Sequence, residues 1–361
     1  MRGGVYRIKA SDLSVVEARN SVPSKLGTDV PSSSGKINGK SCKKSKVKFP
    51  EAVEVAKLFK KHGNLDLIVD DKDKRFLKGG FSNGKVVGAR IKVLPDGRRL
   101  NKMYSLFALD LKVHDERSNI HWDVICRNPN GAYAYIYTVG KEASSRKAKY
   151  KKVHEFGKRL PRLNRNLNTA LNEDVLALPM LILLKTKMRI GNEIYYRRNH
   201  HKGLTTLKKR DVKINGRNVS FDFVGKDGVP QKIVESFSKK IVDKLKSVLK
   251  SKKDGDFIFV DLNGRPLKDV AFEGAFERYC GVKFYPHIVR SYYATMEAEN
   301  FLKRKKTSKD EVEKFYMKVA DKLGHKKFSK KTGGWEDSYQ VTLHHYIRPE
   351  LVEKIAKVTD A

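Results

Sequence analysis

Lys187-Met188-Arg189-Ile190-Gly191-Asn192-Glu193-Ile194-Tyr195-Tyr196, followed after a short spacer by Gly203-Leu204-Thr205-Thr206-Leu207-Lys208, is the most informative stretch of the chain. The apolar residues of Val175 to Arg189 recur at helical spacing and run into it. After it, Val212 to Lys226 alternates around Asn215-Gly216 and reads as a hairpin. Helical spacing then returns over Lys232 to Leu249, Lys268 to Tyr279, His287 to Arg304 and Ser308 to Leu323. With Val153 to Ala170 upstream, these segments predict a mostly α-helical domain over residues 153–361.

Residues 48–152 read differently. After one short helix, Pro50 to Lys61, the pattern is β-rich: Val86 to Leu94 and Met103 to Val113 flank the turn Pro95-Asp96-Gly97. Trp122 to Cys126 and Ala132 to Val139 flank Asn128-Pro129-Asn130-Gly131. Tyr133, Tyr135 and Tyr137 fall at period two and share a face. Packing within the sheet is the plainer reading of these tyrosines; a nucleic-acid surface is the sharper one, and Trp122 reads as core. Residues 1–47 are poor in aromatics, contain Val30-Pro31-Ser32-Ser33-Ser34-Gly35 and end on lysines, which predicts a disordered basic tail. The fold class expected is therefore α+β.

Charge narrows the partner. Among 361 residues there are 77 Lys and Arg against 41 Asp and Glu, a net charge of +36, with 39% hydrophobic residues to build cores. So one-signed a charge repels itself in a compact state and points to a polyanion, nucleic acid first. The longest apolar run, Val175 to Leu184, is broken by Pro179 and is far short of the ~20 residues of a membrane span. No secretory leader is apparent, so an intracellular location is expected. Cys42, Cys126 and Cys280 are widely spaced and read as free thiols. The pairs His200-His201 and His344-His345 have no acidic or cysteine partner at ligand spacing, and no glycine-rich loop ends in Lys-Ser/Thr. Neither a metal nor a nucleotide cofactor is expected.

Five residues in the second half carry a chemistry suited to phosphodiesters: Arg189, Lys226 in Phe223-Val224-Gly225-Lys226-Asp227, Arg290 in His287-Ile288-Val289-Arg290, His325 in Leu323-Gly324-His325, and Tyr346 in Tyr346-Ile347-Arg348-Pro349. Attack on a phosphodiester brings a nucleophile towards an anion and expels a strongly basic alkoxide, so fixed cations and a proton donor are needed. Guanidinium forks match the non-bridging oxygens and stay charged. Burial beside arginines would bring a lysine towards general-acid range. Tyrosine supplies the nucleophile, and a histidine can donate a further hydrogen bond to phosphate.

In this order and in these frames the chain resembles the type IB DNA topoisomerases, of the compact kind found in poxviruses, other large DNA viruses and some bacteria. The Arg-x-Gly-Asn-Glu frame with the following Gly-Leu-Thr-Thr-Leu, the Lys226 hairpin, and Trp122-Asp123-Val124-Ile125-Cys126 carry the resemblance, which covers roughly residues 115–361. It implies an N-terminal DNA clamp domain and a catalytic domain closing as a monomer around duplex DNA. It also implies Tyr346 as nucleophile through a 3′-phosphotyrosyl link, Arg189, Arg290 and His325 on the phosphate, and Lys226 as general acid. DNA contacts are expected from Tyr133, Tyr135, Tyr137, Arg146, Lys147, Tyr150, Lys208 and His287.

Three departures stand out. The family's Gly-Arg-Lys-Gln-Tyr stretch is here Ser145-Arg146-Lys147-Ala148-Lys149-Tyr150, and His287 stands where lysine is common, as in tyrosine recombinases. Twenty residues separate His325 from Tyr346, against a much shorter family link, and Gly333-Gly334 among lysines predicts an inserted mobile loop over Lys326 to Val341. That segment holds Tyr339, a rival nucleophile. Tyrosine recombinases share the Arg, Lys, His, Arg, Tyr chemistry and are the nearest alternative; a non-catalytic DNA-binding derivative is the other.

Overall fold

The computed structural model describes residues 5–18, 42–88, 90–114, 121–128, 131–304 and 307–359. Contacts divide the chain into two units, Met1–Lys147 and Ala148–Ala361.

In the first unit, β1 (Val5–Ile8), β2 (Val15–Ala18) and β3 (Lys43–Lys44) precede helix α1 (Pro50–Lys61). They join β4 (Gly80–Ser82) and β5 (Lys85–Val87) in an antiparallel sheet of order β3-β2-β1-β4-β5. Residues 5–18 therefore do not belong to a disordered tail. Ile8 and Val16 are buried, and Arg7, 4% exposed, donates to Asp70 at 2.7 Å and to the Leu77 carbonyl at 3.1 Å. Low average hydrophobicity over residues 1–47 hid two short segments that supply core side chains. The stretch Val30 to Gly35 lies outside the described residues.

Helix α1 forms because Pro50 presets its first turn and Ala52, Val55, Ala56 and Phe59 fall on one face, which is buried. Next come β6 (Ile91–Val93), β7 (Arg99–Tyr104), β8 (Leu109–Val113), β9 (Val124–Arg127) and β10 (Tyr133–Ile136). β6 and β7 pair across Pro95-Asp96-Gly97, and β8, β9 and β10 form a second meander. The expected strand Met103 to Val113 is broken in two. The Ser105 hydroxyl accepts from the Phe107 amide at 3.2 Å and turns the chain there. Likewise Val86 to Leu94 is two strands, parted around Gly88 at φ +74°.

Helix α2 (Val139–Thr169) starts fourteen residues before the expected Val153, and the division between units, after Lys147, falls inside it. The second unit continues with α3 (Ala177–Thr186), apolar almost all round and buried, as a central helix must be. Then follow α4 (Glu193–Asn199), the antiparallel sheet β11 (Val212–Asn215), β12 (Asn218–Val224) and β13 (Pro230–Ser236), and helices α5 (Lys239–Lys250), α6 (Asp269–Cys280), α7 (Ile288–Phe301) and α8 (Lys309–Lys322). β14 (Lys326–Ser329), β15 (Gly334–Asp337), α9 (Gln340–His345) and α10 (Pro349–Thr359) close the chain.

Two expectations change here. Lys232 to Ser236, expected to open a helix, is a strand paired along its length with β12, and the helix begins only at Lys239. Lys326 to Val341, expected as a mobile loop, is an antiparallel hairpin leading into α9. The fold class is α+β, with a helical second unit. Among the described residues no helix is long and apolar enough to cross a membrane.

Candidate active site

Arg189 is not on the helix expected to carry it. α3 ends at Thr186 because Lys187 takes a left-handed conformation, φ 60°. The next residues run extended against the Gly-Leu-Thr-Thr-Leu segment: the Leu204 amide donates to the Arg189 carbonyl at 2.8 Å and the Thr205 amide to the Ile190 carbonyl at 2.7 Å. A β-carbon at Gly203 would stand 2.5 Å from the Gly191 amide nitrogen and 2.7 Å from the Arg189 oxygen, so only glycine permits this approach. Asn192 caps α4, its side chain accepting from the Ile194 and Tyr195 amides at 2.9 and 3.3 Å. Glu193 pairs with Arg197 one turn on. The Gly, Asn and Glu of the motif are thus spent on backbone geometry, and Arg189 is left free for chemistry.

Arg290, on α7, is 2% exposed. Its Nη1 donates to the Lys187 carbonyl at 2.6 Å and its Nη2 to the Leu323 carbonyl at 2.7 Å, so one guanidinium caps the C-terminal ends of α3 and α8. Burial brings its pKa down to about 10. Nη2 also lies 3.0 Å from His325 Nε2, which consumes both of its hydrogens. Nε makes no hydrogen bond.

The His325 ring is fixed by these neighbours. A guanidinium only donates, so Nε2 accepts, and the ring hydrogen sits on Nδ1, 2.7 Å from the Thr342 hydroxyl. Burial first, then Arg290 and Arg189, push its pKa down to about 2. His325 is therefore neutral with both nitrogens engaged, and in this arrangement it orients Arg290 instead of donating to a phosphate. Thr342, which accepts the ring hydrogen that Arg290 leaves on Nδ1, has no motif around it to mark it in the sequence.

Tyr346 follows α9 and is 4% exposed. Its ring centre is 4.8 Å from that of His325, 5.1 Å from that of His287 and 5.2 Å from the Arg290 guanidinium carbon. Lys149 Nζ stands 5.6 Å from the same ring and donates to the His345 carbonyl; Tyr150 donates to the Ile347 carbonyl at 2.6 Å. Lys149 belongs to the basic run Arg146 to Lys152, where nothing in sequence singles it out. His287 has its pKa lowered to about 3 by burial, then by Arg290, Arg189, Lys149 and Lys226. Tyr339, the rival, stacks on Tyr316 at 5.6 Å instead.

Lys226 departs from expectation. It is exposed, at the tip of the turn Gly225-Lys226-Asp227-Gly228 between β12 and β13, and not buried beside the arginines. It does line one narrow cleft with Arg189, Arg290, Lys202 and Gln231. A neighbouring cavity of about 210 Å³ shares Arg189 and Arg290 with it and is also lined by His287, Tyr195 and Tyr285. A larger cavity of about 410 Å³, between α7 and α8, involves none of these residues.

The remaining candidates differ in placement. Lys208 sits 5.3 Å from the ring centres of both Tyr196 and Phe257, held by aromatic faces. In the first unit Arg146 and Lys147 are exposed on α2, Arg146 reaching Glu142 at 3.2 Å. Tyr133 and Tyr135 are 49% and 44% exposed, so they do not pack the sheet; their face is open. Tyr133 donates to Asp110 at 2.9 Å, and the Tyr137 hydroxyl lies 3.0 Å from His121. Trp122 is half-buried against His114. Among the described residues no group of three or more His, Cys, Asp or Glu is arranged to hold a metal ion.

Comparison with known proteins bears on this constellation. The DNA topoisomerase 1B of Acanthamoeba polyphaga mimivirus is 26% identical over 171 residues, 43% of this chain and 46% of the relative. The chain thus spans about half the length of the curated relative it matches. Two solved structures of the XerH site-specific recombinase also match part of the chain. The pre-cleavage complex with difH is 18% identical over 48% of this chain and 47% of the other, TM-score 0.33. The post-cleavage complex with palindromic difH is 17% identical over 56% and 51%, TM-score 0.35. Residues 140–347 match the family described as eukaryotic DNA topoisomerase I, catalytic core. That match covers more than half of the chain and contains Arg189, Lys226, Arg290, His325 and Tyr346, and the chain belongs to this family, the type IB DNA topoisomerases.

Proposed function

We propose that the protein relaxes supercoiled duplex DNA by cutting and resealing one strand through a covalent tyrosyl intermediate. One observation carries the reading: the Tyr346 ring lies against Arg290, which shares a cleft with Arg189 and Lys226. The Tyr346 oxygen attacks the backbone phosphorus; its bond to phosphorus forms as the bond to the 5′-oxygen breaks, leaving a 3′-phosphotyrosyl link. The phenolic proton passes to water, and Lys226 Nζ gives a proton to the departing 5′-oxygen. Arg189 and Arg290 hold the charge that develops on the non-bridging oxygens, with His325 keeping Arg290 in register. The link stores the energy of the broken bond, so the strand swivels and is resealed by the reverse steps without ATP. Duplex DNA is the substrate suited to a charge of +36, bound by a monomer.

Tyr346→Phe tests this. The variant should bind supercoiled plasmid and fail to relax it in EDTA without ATP, and wild-type protein quenched with denaturant should remain bound to DNA. Relaxation by the variant refutes the assignment. The position of His287 against Tyr346 favours a second reading, site-specific strand exchange, which a strand-transfer assay with paired sites separates.

A further inference from the structure

The turn that carries Lys226 is soft by composition. Two of its four residues are glycine and Asp227 is left-handed at φ 63°, while its internal hydrogen bonds are Gly225 amide to Val229 carbonyl at 2.7 Å, Gly228 amide to Gly225 carbonyl at 3.2 Å and Val229 amide to Lys226 carbonyl at 3.4 Å. A proton donor on such a tip needs outside support, because small errors in placement cost rate steeply.

Two supports reach it, both from the segment next to His325. Gln231, just after the turn, donates Nε2 to the Gly324 carbonyl at 3.1 Å. A β-carbon at Gly324, φ +64°, would stand 1.8 Å from Gln231 Oε1, so Gln231 fills space that only glycine leaves. The second support is the β14–β15 hairpin. Phe328 and Trp335 face each other across it, ring centres 5.5 Å apart and edge to face. Beyond that pair, a β-carbon at Gly228 would stand 3.8 Å from Trp335 Cζ2 and 3.8 Å from His201 Nε2. The indole and the imidazole thus stand about one carbon's breadth off the turn at Gly228, where they limit how far it can move towards them.

We propose that the β14–β15 hairpin, through Trp335, is a positioning element that holds the Lys226 turn where its ammonium can protonate the leaving 5′-oxygen. The residues that separate His325 from Tyr346 thus brace the turn that carries the proton donor. Trp335 acts through the turn and touches no reacting atom. The inference rests on Lys226 being the general acid.

The experiment compares single-turnover cleavage of two suicide substrates, one with an ordinary 5′-oxygen at the scissile bond and one with sulfur there. A thiolate leaves without a proton, so the second substrate bypasses the general acid. Trp335→Ala should slow the oxygen substrate by at least about tenfold, within the ~10²–10⁴-fold reach of general acid catalysis, and leave the sulfur substrate at the wild-type rate. Trp335→Phe should recover most of the loss. Phe328→Ala, which removes the ring that orients the indole, should show the same oxygen-only defect if Trp335→Ala does not fold. Equal slowing on both substrates, or no slowing on either, overturns the brace. Wild-type protein that forms no adduct with either substrate overturns the reading of the site, and the brace with it.

Discussion

Arg290 Nη2 and His325 Nε2 lie 3.0 Å apart, and because the guanidinium has no acceptor the imidazole must be neutral to meet it. This sets a dependence of stability on pH. The folded-state pKa of His325 is lowered from 6.5 to about 2, so below about pH 6.5 the unfolded chain takes up a proton that the folded chain refuses. Stability is full above that pH and falls as pH drops towards the folded value, by about 1.4 kcal/mol per pH unit for one proton. His287, lowered to about 3, adds in the same direction. Urea unfolding of wild type and His325→Gln between pH 6.5 and 4 should show their stability difference shifting steadily against wild type as pH falls. A constant difference would contradict the neutral imidazole.

The two arginines should separate in their effects. Arg290→Lys loses the fork that caps α3 and α8 together and should cost about 3 kcal/mol, from two charge-assisted hydrogen bonds at ~1.5 kcal/mol each, along with activity. Arg189→Lys keeps the backbone pairing of its own residue. It should unfold within about 0.5 kcal/mol of wild type and lose ~10²–10³-fold in adduct formation. Thermal melts beside single-turnover cleavage distinguish the two.

Part of the site is legible in the sequence, because Arg189 sits in a frame whose glycines and asparagine its local geometry demands. Gly191 and Gly203 make this concrete: their spacing records a backbone contact that no side chain permits. The position of Arg189 beyond a helix end was not legible, since apolar spacing continues through Met188 and Ile190 while the left-handed Lys187 carries no sequence signal. Strand β13 was read as helix because Ile233, Val234 and Phe237 satisfy helical spacing; pairing with β12 decides it. The place of the proton on His325 depends on Arg290, thirty-five residues away, a relation that only the fold creates.

Gly203→Ala tests the close backbone approach. The added carbon meets main-chain atoms of Gly191 and Arg189 that cannot swing aside, so the variant should lose about 1–3 kcal/mol and displace Arg189. Reduced melting temperature together with reduced adduct yield is expected. A wild-type melt would show that the two segments separate freely.

Binding should be steeply dependent on salt. With ~6 or more phosphate contacts, affinity for nonspecific duplex should fall by ~10³-fold or more between 50 and 200 mM salt. Removing one contact with Lys147→Ala should reduce the slope of log affinity against log salt by about 1. An unchanged slope places Lys147 off the DNA path.

The guanidinium of Arg290 joins the carbonyls of residues 187 and 323, and the tyrosine beside it lies further on still. During synthesis, then, the centre is assembled from segments that emerge from the ribosome far apart in time. A nascent chain that has reached only α7 holds the Arg290 guanidinium with one of its three acceptors, the Lys187 carbonyl, and lacks the Leu323 carbonyl, His325 Nε2 and Tyr346. On the proposed reading, strand breakage is therefore withheld until the last elements have been made and folded, and a chain cut short before residue 325 would be unable to nick DNA.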